Sequence, residues 1–183
     1  MKATRLGILF LAASHAVCIA MGSSATIGSI APDFSINDQY DHPIQLSSYR
    51  GKPVLVIYGD RKGSDYMGAW VQAVRPELRA AGVKIIQAAN LKAVPGFMQG
   101  FVKRKFLGKT ANGQPSAPVI LDWNGQIATV YGFRDSVTNV YLIDARGILR
   151  FSASGKGSSG EARPVADAIN ALASAGNATT PPW

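Results

Sequence analysis

The stretch that most limits what this chain can fold into is Gly51-Lys-Pro-Val-Leu-Val-Ile-Tyr-Gly-Asp-Arg-Lys-Gly-Ser-Asp65. Val54 to Tyr58 is a continuous apolar run, too short for a buried helix and bounded by Pro53 and Gly59. Such a run reads as a strand covered on both faces. A polar, glycine-containing turn follows, and Ser64-Asp65 then precedes a helical pattern, which is an N-cap signal. Strand, turn and helix N-terminus in succession are where α/β proteins keep their chemistry. This turn holds neither cysteine nor histidine.

The remaining elements alternate around that strand. Phe34 to Ile36 and Ile44 to Leu46 predict a small hairpin about Asn37 to His42, and Ser47 to Gly51 a turn into the central strand. Met67, Trp70, Val71, Val74, Leu78 and Ala81 recur at helical spacing, with Pro76 kinking or breaking that helix and Gly82 closing it. Val83 to Ala88 reads as a strand. Pro95 opens a helix in which Met98, Phe101, Val102 and Phe106 are the expected buried stripe, with Lys103, Arg104, Lys105 and Lys109 on its solvated side. Pro118 to Leu121 is a third strand ended by Asn124-Gly125, and Ile127 to Tyr131 a short amphipathic piece. Val140 to Ile143 and Ile148 to Phe151 are strands joined at Gly147. A glycine- and serine-rich loop, Ser154 to Gly160, leads to a last helix with Val165, Ile169 and Leu172 on one face. The expectation is a single α/β domain over residues 26–174, followed by a flexible tail over 175–183.

The N-terminus reads as a targeting segment. Lys2 and Arg5 precede the short apolar run Leu6 to Ala13, and Ser14 and His15 end it. That is the pattern of a secretory signal peptide over residues 1–25, and its apolar run is shorter than the roughly 20 residues a membrane span needs. Cleavage is expected near Ala20 or Ala25, leaving no stable membrane span. Cys18, the only cysteine, follows His15-Ala16-Val17, a poor match to a lipid-attachment signal, so a lipoprotein is the lesser expectation. The leader implies a periplasmic or secreted location, and a chain cleaved at either alanine would enter it with no thiol and so no disulfide. Its formal charge falls from +8 to +6, because Lys2 and Arg5 leave and every acidic residue lies downstream. A modestly basic domain suits weak attraction to anionic surfaces and does not call for nucleic acid.

Three phrases carry a family resemblance: Gly28 to Phe34, Leu46 to Val56 and Tyr141 to Leu149. With the element order they resemble the thioredoxin-like superfamily, in its redoxin branch of peroxiredoxins and secreted thiol–disulfide oxidoreductases, from about residue 27 to 173. The resemblance implies a thioredoxin-like α/β fold, a central mixed β-sheet flanked by helices, with an N-terminal β-hairpin extension. It also implies a thiolate at the N-terminus of the first long helix, where the dipole and exposed N–H groups stabilise the anion. Counting from the strand puts the paired-cysteine motif at Lys62-Gly-Ser-Asp65; counting back from Pro76 puts it at Gly68-Ala-Trp-Val71. Both registers stay open, and neither contains a thiol. A peroxiredoxin has Thr or Ser three residues before its cysteine, whereas Ser64 has Met67 there. The family's cis-proline before the last hairpin corresponds to Thr138, whose peptide bond is expected to be trans. The resemblance therefore carries the fold and not the reaction.

Other chemistry finds little to stand on. Ser64 as a nucleophile has only His42, in a separate hairpin, as a base downstream of the leader, and a helix cap is the simpler reading. Downstream of the leader, one histidine and no cysteine leave soft metals few ligands, and no cofactor is implied. Met67 and Met98 read as core methionines, and Trp70 and Trp123 as packed or half packed. Asp60, Arg61, Lys62, Gly63, Ser64 and Asp65 bring two cations to a glycine and a helix N-terminus, a candidate anion site whose plain alternative is a solvated turn. Together with Thr138 they form the candidate surface for a small anion or a protein partner in the cell envelope. Two functions remain: a non-catalytic binding or scaffold protein, or a redoxin-related antioxidant protein acting with a partner's thiols. The missing cysteine favours the first.

Overall fold

The computed structural model describes residues 24–108 and 116–177. Residues 1–23 of the expected leader, Cys18 among them, and Lys109 lie outside these residues. Ala25 is already part of the fold, its N–H donating to the Val130 carbonyl at 2.7 Å. The opening segment then runs along the last hairpin, with Gly28 N–H donating to Leu149 O and Ala31 N–H to Gly147 O. Two short strands, β1 (Ser35–Asn37) and β2 (Pro43–Gln45), pair antiparallel as the alternating residues predict. A 3-10 turn, Leu46–Tyr49, delivers the chain to β3 (Val54–Gly59), every residue of which is buried.

Beyond β3, the single helix expected through Pro76 divides. A 3-10 turn, Gly63–Tyr66, leads into α1 (Met67–Ala73), and α2 (Arg75–Ala80) starts afresh after Val74. Pro76 has no N–H and so belongs in a first turn, where it stands in α2. Gly82 takes φ +62° and turns the chain into β4 (Lys84–Asn90). A 3-10 turn at Gly96–Met98 precedes α3 (Gln99–Phe106), followed by β5 (Val119–Asp122) and α4 (Gln126–Tyr131). The antiparallel pair β6 (Thr138–Ile143) and β7 (Leu149–Gly155) then leads to α5 (Ser159–Asn177). α5 runs past Ala175, where a loose tail was expected to begin; residues 178–183 lie outside the description.

The strands form one mixed sheet of order β5-β4-β3-β6-β7, with β3–β4 and β4–β5 parallel and β3–β6 and β6–β7 antiparallel. Alternate residues of β3 feed different cores. Val54, Val56 and Tyr58 pack with Ile86, Ile127 and Tyr141 beneath α4. Leu55 and Ile57 pack with Trp70, Val74, Leu78, Val165 and Ile169 beneath α1, α2 and α5. The hairpin closes the β5 edge, which would otherwise present free backbone groups. Asp38 bridges to Ile120, and the fully buried Gln39 side chain accepts from Val119 N–H at 2.7 Å and donates to Ala117 O at 3.0 Å.

The stripe expected on α3 is corrected. Val102 and Phe106 do pack on a small third core of Ala89, Leu91 and Leu121. Phe101, however, is 50% exposed, and Met98 also faces outward. A core of that size fills with two side chains from the helix and leaves the others in solvent.

Candidate functional site

β3 ends at Gly59, and the turn beyond it folds onto the loop that precedes β6. Asp60 does the joining. Its Oδ1 accepts from Gly63 N–H at 2.7 Å and its Oδ2 from Ser136 N–H at 2.9 Å. Ser136 sits at φ +63°, a conformation unfavourable for a residue with a side chain. Gly63 is buried against the same loop, and a Cβ built on it would fall inside the van der Waals envelope of the Val137 carbonyl. Only glycine fits. Thr138 completes the seam: fully buried, it donates its hydroxyl to Gly63 O at 2.6 Å.

The six turn residues come together as the sequence suggests, but they are already engaged with one another. Gly63 N–H goes to the Asp60 carboxylate, Ser64 N–H to Asp60 O at 2.8 Å, and Asp65 N–H to Lys62 O at 3.2 Å. The donors an external anion would use are held by the turn itself, with Asp60 as internal anion. Ser64 is not the side-chain cap expected of it, since its hydroxyl donates to Arg61 O at 2.8 Å. Nor does it meet a base, because His42 lies 3.6 Å from Asp38. Arg61, Lys62, Ser64 and Asp65 are exposed, whereas Gly63 and Thr138 are buried and offer a partner no side-chain surface.

The structure also decides which register faces the β6 loop. Gly63, within Lys62-Gly-Ser-Asp65, sits against Val137 and Thr138. In the alternative stretch, Gly68 to Val71, Trp70 is fully buried and donates its indole N–H to Gly155 O at 3.1 Å. No peptide bond among the described residues is cis, so the one before Thr138 is trans as expected.

Asp122, at the end of β5, went unnoticed in the sequence. It is 1% exposed, accepts from the Tyr58 hydroxyl at 2.8 Å, and takes the N–H groups of Gln126 and Ile127 at 2.8 and 2.9 Å. It thus joins the central strand to the start of α4. An aspartate four residues ahead of a helical run is the signal that would have found it.

A mixed sheet of this order, with its polar turn after the central strand facing the loop before an antiparallel pair, defines a thioredoxin-like protein. The chain belongs to the AhpC/TSA family, whose pattern matches residues 27–152. It is 27% identical over 127 residues to the thiol-disulfide oxidoreductase ResA of Geobacillus kaustophilus, spanning 68% of this chain and 67% of that one. Its fold is similar to that of a putative thiol:disulfide interchange protein DsbE from Chlorobium tepidum, with a TM-score of 0.59 at 19% identity over 82% of this chain and 99% of the other. The exposed lipoprotein thioredoxin Etrx1 of Streptococcus pneumoniae gives 0.53 at 19% identity, over 74% and 98%.

Proposed function

We propose that this redoxin is a non-catalytic binding or scaffold protein of the cell envelope. One observation carries the reading: the turn that would present a thiolate is sealed to the β6 loop through Gly63, Val137 and Thr138. Thiol exchange needs a thiolate that attacks sulfur through a mixed disulfide. No cysteine follows Cys18 in the sequence, and position 63 has no room for a side chain. Arg61, Lys62, Ser64 and Asp65 remain on the outside of a fixed turn as the contact surface for a protein partner. The charged, apolar N-terminus supports export, as does similarity to an exposed lipoprotein.

Insulin-reduction and peroxide-consumption assays on the processed protein test the catalytic half, and both are expected at background. Turnover that survives Cys18→Ser overturns the reading. For the binding half, the protein is used to capture partners from envelope extract. A specific protein retained by wild type and lost with Arg61→Ala/Lys62→Ala supports the assignment. Equal retention by both proteins moves the contact surface elsewhere.

A further inference from the structure

We propose that the outward face of α3, with the turn before it, rests on an anionic phospholipid surface. Val102 and Phe106 fill the small core beneath the helix, so its remaining apolar residues face solvent. Phe97 is 89% exposed and Phe101, one turn along, 50%. Single exposed apolar residues are ordinary, but two aromatic rings on one stripe with cations beside them are what an interfacial helix presents. Arg104 and Lys105, both exposed, occupy the next turn of that stripe, and Lys105 Nζ stands 4.8 Å from the Phe101 ring centroid. An ammonium at that height meets a headgroup phosphate while the ring enters the acyl boundary.

The segment of chain that carries the stripe has charge of one sign. Between Glu77 and Asp122 every charged residue in the sequence is lysine or arginine. Lys103 points the other way, paired with Asp41 of the hairpin at 2.5 Å, so Arg104 and Lys105 supply the outward charge of α3. A nearly fully exposed ring has little of its own chain around it to shape a pocket. A protruding apolar stripe of that kind suits a deformable planar phase better than a fitted polypeptide. Nothing here depends on the reading of the Asp60 turn.

The test is flotation of the full chain with vesicles of phosphatidylglycerol and phosphatidylcholine in equal parts, against phosphatidylcholine alone. Wild type is compared with Phe97→Ser/Phe101→Ser and Arg104→Gln/Lys105→Gln, whose changes leave Val102 and Phe106 in place. The N-terminal apolar stretch is common to all three proteins, so differences among them report α3. Wild type is expected to prefer the anionic vesicles, with affinity falling about fivefold for each cation removed. The phenylalanine variant is expected to lose that binding, and molar salt to weaken it. Equal binding by all three proteins, or no preference for anionic lipid, overturns the proposal. So does retention on polyglutamate without flotation, which would assign the face to an acidic polypeptide.

Discussion

The Thr138 hydroxyl donates a 2.6 Å hydrogen bond to the carbonyl of Gly63, 75 residues earlier in the chain. That bond, buried beside a backbone contact that admits only glycine, joins the end of the β3 turn to the start of β6. Gly63→Ala is expected to destabilise by about 1–3 kcal/mol, because the turn must move off Val137 to admit a methyl group. Thr138→Val keeps the shape but removes the side-chain donor to the Gly63 carbonyl, at a cost of about 0.5–1.5 kcal/mol. Thr138→Ser should recover most of that loss. Urea denaturation of the three variants measures the seam, and wild-type stability in Gly63→Ala would show that the turn is not closed.

Acid should loosen the last hairpin through Asp144. Burial alone raises its carboxyl pKa, but the Ile148 N–H at 2.8 Å, the Arg150 guanidinium and the Arg146 N–H outweigh burial and hold it below the usual aspartate range. Asp33 is lowered the same way, burial being outweighed by the Gln45 amide and by Ser47. A folded pKa below the unfolded one gives stability that is complete above about pH 3.9 and is lost as pH falls through the lower folded value. Asp144→Asn should therefore lose roughly 2 kcal/mol at neutral pH and show a shallower acid limb. Thermal melts of both proteins across the acid range check this, and parallel acid limbs would refute it.

The sheet was legible because its strands are apolar runs of strand length, and buried strands have few other ways to look. The same logic misplaced Phe101 and Met98. Helical spacing reports that a face is apolar, not whether a core exists to receive it, and the pocket of Ala89, Leu91 and Leu121 is small. Ser64 differs for a related reason: Ser-Asp before a helix signals a cap, but a 3-10 turn begins one residue earlier, at Gly63, whose N–H the Asp60 carboxylate holds, so Ser64 lies inside the turn. That outcome depends on Ser136 approaching from 76 residues away, a distance no local pattern encodes. Gln39 has partners only across the sheet edge, and the bond of Asp122 to Tyr58 spans 64 residues, so no local pattern shows either.

Alkali should expose three buried phenols. The Tyr58 pKa is raised by burial, then by the charge and hydrogen bond of Asp122; that of Tyr131 by burial, then Asp33; that of Tyr141 by burial alone. Folded values above the unfolded value of about 10 give stability that is present below that pH and lost as pH rises beyond it. Phenolate absorbance from these three should appear together with the loss of circular dichroism. Tyr58→Phe should remove one phenol from that step. Ionisation of all three before the fold opens would contradict their burial.

Returning a thiol to the turn should not return the chemistry. Cysteines at helix N-termini are acidified because unpaired N–H groups and nearby cations stabilise the thiolate, whereas a free thiol titrates near 8.5. Here the N–H groups of Gly63, Ser64 and Asp65 are taken by Asp60 and Lys62. The carboxylates of Asp60 and Asp65 flank the position and offset Arg61 and Lys62. Position 63 has no space for a side chain, so Ser64→Cys, made together with Cys18→Ser, is the variant that can fold. Its alkylation rate against pH is expected to give an apparent pKa of about 8 to 9, with insulin reduction still at background. An apparent pKa below about 7 would mean that the turn keeps a donor available for an anion, and that the seam between Gly63 and Thr138 opens in solution.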